Sequence, residues 1–502
     1  MLPPALFVAI VVCLLLFRKY QKYPNVPPGP PAVPILGHLF ALPSTHQWKT
    51  FANWSRDYKS DILHLSVAGK SIIVLNSLQA TNDLMEQRSR IYSERPRLPM
   101  INELMGWNQQ SLAMGLMPYG NKWLARRKIV QQAFSKQSLM SYGSQLEKCT
   151  ESLINDLFVQ PSEFMAHFKR MSTTFIMSTV YGIEVKAGSG DPFIGANEAA
   201  VDGLKAAGIA GRFLVDTLPI LKYVPEWFPG ADFKRLAREW KENMVLAFRA
   251  PFEEAWSQFS NHTLQPCLVL NSLDELGVDN ADDSDERINT VRDAAGSIYT
   301  AAVDTAVSSL ATFLLAMLAN PEAQKLAQIE LDRLERLPLL QDDASLPYIS
   351  ALVKEVLRWK NVAPLAIPHC VAEEDEYRGY KIPKGATIIG NIWAICHDDA
   401  IYPDPDKFSP ERFLGNNPRP DPDVAFGFGR RTCPGQHLAT SMLFLCIARI
   451  LAVFEISKGT KLDEFGREVD DEPSYEYSSG LAAMPLPFKC TFKPRALANE
   501  MI

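Results

Sequence analysis

Residues Phe426–Gly435, which read FGFGRRTCPG, decide the fold of this chain more than any other stretch. They place Cys433 in a glycine-rich loop behind Arg430 and Arg431, just before an apolar run. A thiolate is a strong ligand for iron, and both arginines and a following helix N-terminus lower the pKa of a thiol. The glycines allow backbone N–H groups to approach the sulfur. The loop therefore predicts a metal-bound thiolate; the alternative is a structural cysteine buried in a turn.

The spacing of Phe426, Gly429, Arg431, Cys433 and Gly435 resembles the heme-binding signature of the cytochrome P-450 family. The resemblance implies that Cys433 is the axial ligand of heme b, and that Phe426, Arg431 and Gly435 belong to the cofactor site. In that family the thiolate pushes electron density into the iron and favours O–O cleavage. It also implies the family's fold, which is mainly α with a small β-sheet region and a long central helix over the heme.

The composition is that of one large globular domain, which we place at residues 38–502. The 502-residue chain is 47% hydrophobic, and no low-complexity linker divides it. A net charge of −6 and the lack of an aromatic-basic stripe disfavour nucleic-acid binding. The eight cysteines form no CxxC pair, which disfavours zinc ribbons and disulfide scaffolds and suits a reducing compartment.

The N-terminus predicts a membrane anchor over residues 1–20 and a proline-rich hinge over residues 21–37. Ala5–Phe17 is an unbroken apolar run, shorter than the roughly 20 residues that a bilayer requires, although Leu2–Tyr20 reaches that length. The basic pair Arg18-Lys19 predicts that the domain faces the cytosol, as in a single-pass protein of the endoplasmic reticulum. A secretory signal peptide and an interfacial helix remain as alternatives.

One segment, Asp285–Leu318, has the pattern of a long central helix of roughly 50 Å. Arg292 and Asp304 argue against a membrane span. Asn320 is expected to cap the next helix, with Pro321 at its first position. Elsewhere the pattern predicts a β-hairpin at Ile62–Val67 and Ser71–Leu75, a helix at Leu352–Trp359, a strand at Ala386–Asn391 and an apolar helix at Leu438–Phe454.

Asp304 and Thr305 lie halfway along the long helix, among alanines and valines. A buried acid and hydroxyl are costly there unless they are satisfied or functional. The site resembles the family's oxygen-activation motif, in which the acid and the threonine relay protons. Ala302 stands where the motif has glycine and Ala306 where it has a second hydroxyl. The alternative is a threonine that bonds only its own helix backbone.

Two further patterns carry residues of the family site. Glu355, Arg358 and Arg412 resemble its ExxR pair and PERF partner, a structural network behind the heme. Trp123 and Arg127, one helical turn apart, resemble its heme-propionate ligands, with His369 and Arg431 as further candidates. Arg126 and Lys128 flank that pair and could form a basic patch that meets an acidic reductase.

The resemblance implies a monooxygenase that uses O2 and takes NADPH electrons from a separate reductase, with cytochrome b5 as a second donor. The stretches Phe213–Asp216, Trp227–Gly230, Leu365–His369 and Asn391–Ala394 are most similar to fungal, basidiomycete microsomal members of secondary metabolism. By analogy, substrate contacts fall in Met100–Met117, Ala206–Leu214, Leu365–Ile367 and Ser479–Leu481. Their apolar character predicts a hydrophobic substrate such as a terpenoid or aromatic polyketide. The alternatives are a heme-thiolate isomerase or dehydratase that uses no O2, and a non-catalytic heme sensor.

Overall fold

The computed structural model describes residues 25–34, 36–67, 69–107, 113–185, 192–209, 211–278, 285–462, 465 and 467–496. The predicted anchor and the start of the hinge lie outside these ranges, as does Ala68 in the predicted hairpin turn.

Helices dominate the described residues, which confirms the prediction of a mainly α fold. In chain order, the α-helices are α1 Gln47–Asp57, α2 Leu78–Thr81, α3 Ser89–Tyr92, α4 Asn121–Ala133, α5 Gly143–Val159, α6 Phe164–Ile176, α7 Pro192–Ala207, α8 Leu214–Thr217, α9 Asp232–Ser260, α10 Leu268–Glu275, α11 Glu286–Ala319, α12 Pro321–Leu331, α13 Pro347–Trp359, α14 Ile392–Cys396 and α15 Gln436–Val453. Short π-helical turns occupy Asn82–Gln87, Met100–Leu104 and Met177–Tyr181.

The strands form three small sheets at the edges of the helical body. They are β1 Ile62–Val67, β2 Lys70–Leu75, β3 His369–Cys370, β4 Asp375–Tyr377, β5 Tyr380–Ile382, β6 Thr387–Gly390, β7 Phe454–Leu462, β8 Glu468–Asp471 and β9 Cys490–Pro494. One sheet has the order β1-β2-β6-β3, in which β2 and β6 are parallel. The second has the order β8-β7-β9, and β4 pairs with β5. The predicted hairpin and strand are therefore present, with bounds shifted by one residue.

Helix α11 is the axis of the core. It runs for 34 residues, about 51 Å at 1.5 Å per residue, and begins one residue after the predicted start. It packs against α4, α6, α7, α9, α10, α13 and α15. At Gly296 it meets α9 so closely that a Cβ would lie 2.3 Å from the Phe248 ring. This helix therefore carries Asp304 and Thr305 through the centre of the molecule.

The junction between α11 and α12 differs from the prediction in one respect. Pro321 is the first residue of α12, as expected, but the Asn320 side chain does not cap that helix. Instead, its Nδ2 donates to the carbonyl oxygen of Ala316 at 2.9 Å, so it terminates α11. An asparagine side chain can cap either end of a helix. Here it donates to one of the carbonyl oxygens at the end of α11 that have no partner within the helix.

Within the described residues, α11 and α15 are long and apolar enough to cross a bilayer. Their most apolar windows are, however, 78% and 72% buried inside the protein. A core helix passes the same test of length and composition, so we assign both to the core, as the charged residues of α11 predict.

Candidate cofactor and active site

The loop Phe426–Gly435 closes tightly around Cys433. The Cys433 N–H donates to the Phe426 carbonyl oxygen at 2.8 Å, across the width of the loop. Gly429 has a φ of 56°, in the left-handed region, and a Cβ there would lie 2.1 Å from the Met85 carbonyl oxygen. Only glycine fits this position, so the glycine spacing is needed for the backbone conformation of the loop as well as for its chemistry.

Among the cysteines in the described ranges, Cys433 alone is exposed; Cys370 is half-buried and the others are buried. Protein nevertheless surrounds the sulfur closely, and this burial raises the pKa of the Cys433 thiol, against the opposing effects of the Gly435 N–H and the Arg127 charge. An accessible thiol suits a metal ligand, because a bound cation deprotonates a coordinating thiol outright. Helix α15 begins at Gln436, so its N-terminus lies directly behind the sulfur, as predicted.

The arginines beside Cys433 do not act on it as the sequence predicts. Arg431 donates to the carbonyl oxygens of Ser93 and Met117, each at 2.9 Å, and Arg430 donates to the Tyr119 hydroxyl at 2.9 Å. The expectation that these two guanidiniums lower the pKa of the thiol is therefore wrong. Arg127 on α4, distant in sequence, supplies the positive charge instead.

Positive groups crowd together beside the cysteine loop. Arg431 lies over the Trp123 ring at 4.5 Å, and Arg127 lies over the same ring at 5.7 Å. Burial lowers the pKa of Arg431 to about 10, against the opposing charge of Glu94 and with the help of Arg127. Like charges held this close call for an anion between them.

Trp123 and Arg127 have the free donors that such an anion would use. Both are largely buried, at 3% and 9% exposure, and neither side chain has a hydrogen-bond partner among the described residues. An indole N–H and a guanidinium can both donate to a carboxylate. This donor set fits the two carboxylates of heme, whose iron the Cys433 sulfur would ligate.

His369, predicted as a further propionate contact, lies near Arg95 and Arg431 of this cluster. Its Nδ1 lies 2.7 Å from the Tyr92 carbonyl oxygen and donates to it, because a carbonyl only accepts. Burial, followed by the charge of Arg95, lowers the pKa of His369 well below its usual value, so the ring is neutral. A neutral ring with a proton on Nδ1 presents only a lone pair at Nε2. Donation to a carboxylate would therefore require a second proton.

Arg95 also belongs to the cluster, although no sequence pattern singled it out. Its guanidinium donates to the carbonyl oxygens of Gly115, Ile367 and Pro368 at 2.6–2.8 Å. Burial and the neighbouring Arg431 lower the pKa of Arg95 well below its usual value. No spacing rule reveals a contact between a loop arginine and a segment some 270 residues further along the chain.

Helix α11 has two exposed residues at its middle. Ala301 and Thr305, one turn apart, are exposed, although most of the helix is buried. The Thr305 hydroxyl donates to the carbonyl oxygens of Ala301 and Ala302 at 2.9 and 3.1 Å, so its lone pairs remain free to accept. Thr305 thus bonds its own helix, as in the alternative above, and also faces accessible space. Asp304 turns the other way and pairs with Lys205 of α7.

The predicted structural network is assembled and buried. Glu355 accepts from Arg358 Nε at 2.7 Å and from Arg412 Nε at 3.1 Å, and the Glu355 and Arg358 side chains have no solvent exposure. Arg358 also donates to the Cys396 carbonyl oxygen at 2.8 Å. These contacts join α13 to the segment that leads into the cysteine loop.

The four segments predicted to contact substrate meet around α11. Met114 N–H donates to Ser297 Oγ of α11, and Ser308 Oγ donates to the Ala483 carbonyl oxygen next to the Ser479–Leu481 turn. That turn reaches the end of α7, where a Cβ at Gly208 would lie 3.2 Å from the Leu481 Cβ. Arg95 ties Gly115 to Ile367. These contacts therefore link all four segments to one another or to α11.

These features, an exposed thiol in a glycine-rich loop, the free donors of Trp123 and Arg127, and a long helix with an exposed middle, are those expected of a heme-thiolate protein. Comparisons with known proteins agree. The family model described as cytochrome P-450 matches residues 27–478. The chain belongs to the cytochrome P-450 family.

The relatives are fungal enzymes that the chain matches over almost its whole length. Cytochrome P-450 monooxygenase 98 of Postia placenta is 42% identical over 479 residues, 93% of this chain and 90% of that protein. Tryptamine 4-monooxygenase of Psilocybe cyanescens is 37% identical over 473 residues, 92% of this chain and 91% of that protein. A cytochrome P-450 monooxygenase of Armillaria gallica is 39% identical over 473 residues, 93% and 91% of the two chains.

These relatives confirm the predicted family, its fungal character and a monooxygenase activity. They support oxygenation and not the alternatives of an isomerase, a dehydratase or a heme sensor. The family is one of heme-thiolate enzymes that use dioxygen.

Proposed function

We propose that this chain is a membrane-associated heme-thiolate monooxygenase that inserts one atom of O2 into a hydrophobic secondary metabolite. The observation that carries the proposal is the exposed Cys433 thiol beside the unpartnered donors of Trp123 and Arg127. Bound heme would supply dioxygen activation. Cys433 would ligate the iron, and the residues assigned to the rest of the cofactor are Trp123, Arg127, His369, Arg431, Phe426 and Gly435.

The assigned roles differ between these residues. Trp123 and Arg127 would donate to propionate oxygens, since their donors have no protein acceptor. The N–H groups of Arg431 already donate to backbone carbonyl oxygens, so Arg431 would act on a bound propionate mainly through its positive charge. The Gly435 N–H would donate to the Cys433 sulfur and tune it. Phe426 would hold the loop through its carbonyl oxygen.

Asp304 and Thr305 are the proposed proton-handling pair. The Thr305 Oγ1 has lone pairs free on the exposed side of α11, where it can accept a proton-bearing water. The carboxylate of Asp304, one residue away, would relay protons toward this side of the helix. Ala302 adds a methyl group where the family motif has glycine, and Ala306 lacks the second hydroxyl of that motif, so the efficiency of coupling is a quantity to measure.

The substrate is proposed to be an apolar molecule such as a terpenoid or an aromatic polyketide. The candidate segments contribute Met105, Met114 and Met117, all buried, and Ala366. Methionine packs adaptably against irregular apolar shapes. The relative named tryptamine 4-monooxygenase makes an aromatic indole amine a further compound to test.

Electrons are proposed to come from NADPH through a separate reductase, with cytochrome b5 as a second donor. Lys122 and Lys128 are exposed on α4, the helix that carries Trp123 and Arg127, and they could meet an acidic partner. Arg126, the other residue predicted there, is not available. It is 1% exposed and pairs with Asp293 at 2.8 Å.

Membrane attachment at the endoplasmic reticulum, through residues 1–20, is supported by two segments that expose apolar side chains, residues 33–40 and residues 214–228. Gly37 bridges to Val67, and Lys70 Nζ donates to the Asp216 carbonyl oxygen, so both segments lie at the tip of the β1–β2 hairpin. Exposed apolar side chains that are grouped in this way mark an interaction surface. Its side chains include Val33, Phe40, Leu214, Leu218, Ile220, Tyr223, Trp227 and Phe228.

The test is turnover under isotopically labelled dioxygen. The protein, co-expressed with an NADPH reductase in membranes, is incubated with terpenoids, aromatic polyketides and indole amines. We expect NADPH-dependent product that contains one labelled oxygen, and poor coupling in Thr305→Ala. Product without label and without NADPH use would indicate an isomerase or dehydratase. Type-I spectral shifts with polar, charged compounds only would contradict the substrate proposal.

A further inference from the structure

Lys205, near the end of α7, contacts the proposed proton-handling acid directly. Its Nζ forms a short hydrogen bond and ion pair with Asp304 Oδ2 of α11. It also lies 3.3 Å from Asp202 Oδ1, one turn earlier on α7. The exposed fraction of the side chain rises from 12% at Asp304 to 25% at Lys205 and 73% at Asp202. Lys205 is therefore the middle member of a row of three charged side chains that runs from Asp304 out to solvent at Asp202.

Among the described residues, Lys205 is the only side chain bonded to Asp304. Thr305, its neighbour, directs its hydroxyl to the carbonyl oxygens of Ala301 and Ala302 instead. The orientation of the Asp304 carboxylate is thus fixed from α7 and not from its own helix.

Lys205 keeps its positive charge at neutral pH. Burial lowers the pKa of Lys205, but the Asp304 carboxylate outweighs this effect, so the net shift is upward. A carboxylate that is mostly buried needs such a partner, since burial without one favours the protonated, uncharged form. Asp202 is too exposed to replace Asp304 as the main partner of Lys205.

We propose that Lys205 is a positioning residue for oxygen activation, which holds the Asp304 carboxylate turned toward α7. Removal of the ammonium would leave Asp304 free to rotate and without a counter-ion in its partly buried site. Proton delivery next to Thr305 would then slow, and reduced oxygen would escape before it reacts with substrate. This inference rests on the proposed role of Asp304 in proton handling.

The test compares Lys205→Met, Lys205→Arg and a matched control, Lys169→Met. Lys169 of α6 pairs with Glu198 of α7 at 2.7 Å and is 32% exposed, so its loss removes a lysine ion pair to the same helix away from Asp304. In the heme-loaded protein with its reductase, we measure product formed per NADPH and the spectral dissociation constant of a type-I substrate. Amide hydrogen exchange over α7 reports whether each ion pair ties the helix down in solution.

Lys205→Met is expected to lower product per NADPH about tenfold, less than the roughly 10²–10⁴-fold contribution of a positioned acid–base group, because Lys205 acts only through Asp304. The spectral dissociation constant should stay within about twofold, and Lys205→Arg should restore most of the coupling because it keeps the charge. Both methionine variants should speed exchange in α7, but Lys169→Met should keep normal coupling. Equal coupling in the two methionine variants, or no rescue by arginine, would overturn the proposal.

Asp304→Asn separates this inference from the function on which it rests. If Asp304→Asn keeps normal coupling, the proton role of Asp304 itself is wrong. If Asp304→Asn is uncoupled and Lys205→Met is not, the role of Asp304 stands and that of Lys205 is refuted.

Discussion

Replacement of Glu355 by glutamine should destabilise the protein strongly, because Glu355 is the counter-ion of two arginines. The Glu355 and Arg358 side chains have no solvent exposure, and that of Arg412 is 7% exposed. The carboxylate accepts from Arg358 at 2.7 and 2.9 Å, from Arg412 at 3.1 Å and from the Ser409 N–H at 2.8 Å. Glutamine retains the size of this group but removes its charge.

Loss of one partner from a buried ion pair costs about 3–5 kcal/mol, because the remaining charge stays buried without compensation. The glutamine oxygen can still accept one or two of these hydrogen bonds, so we expect the lower end, about 3 kcal/mol. Lys354→Met is the matched control on the same helix. Lys354 pairs with Asp421 at 2.8 Å, but the two side chains are 36% and 49% exposed. Loss of an exposed pair costs at most about 1 kcal/mol.

The assay is urea unfolding of the heme-loaded proteins, followed by far-ultraviolet circular dichroism and by heme absorbance. The free energies of unfolding come from linear extrapolation. Glu355→Gln should unfold and release heme at a clearly lower urea concentration than Lys354→Met. If the two variants lose the same free energy, the buried charge does not stabilise this region and the reasoning is refuted.

Three further predictions concern the loop, the cofactor cluster and pH. Gly429→Ala should abolish heme incorporation, because its Cβ would overlap the Met85 carbonyl oxygen, whereas Gly427→Ala, with open space around it, should cost only the backbone strain of its positive φ, about 1–3 kcal/mol; equal heme content would contradict this. Arg127→Gln removes one charge-assisted hydrogen bond and should speed the transfer of heme to apomyoglobin about tenfold or more. An unchanged rate of transfer would show that Arg127 does not hold a heme propionate. Burial raises the pKa of Asp216 from 3.8 to about 6, so its ionised form is destabilising in the folded state, and stability falls as pH rises through this window. Asp216→Asn should therefore stabilise the protein by up to about 3 kcal/mol near neutral pH and lose that gain near pH 4, as measured by urea midpoints at both pH values; a gain equal at both pH values would contradict this.

Patterns short in sequence predicted the fold and much of the site. The cysteine loop depends on contacts within ten residues, such as Cys433 N–H to the Phe426 carbonyl, and glycine spacing encodes them. The bounds of α11 were predicted to within one residue, since an apolar run flanked by Asp285 and Pro321 sets them. The Glu355–Arg358 pair is also local, three residues apart on one helix face.

Contacts between distant segments could not be predicted in this way. Arg126 shares a helix with Trp123, and nothing local distinguishes it from a solvent-exposed arginine. The position of α11 beside α4 buries it against Asp293. The Lys205–Asp304 pair likewise depends on how α7 crosses α11, 99 residues apart in sequence. Arg95 joins the cation cluster only because two loops pack together.

The most direct test of the central claim is the difference spectrum of the reduced, carbon-monoxide-bound protein, alongside Cys433→Ala and Cys370→Ala. Cys370 is the other partly accessible cysteine among the described residues, and it has no proposed role in the site. We predict the strongly red-shifted Soret band of a thiolate-ligated heme in the parent protein and in Cys370→Ala, and its loss in Cys433→Ala. A histidine-type heme spectrum in the parent protein, or a red-shifted band that survives in Cys433→Ala, would contradict the account.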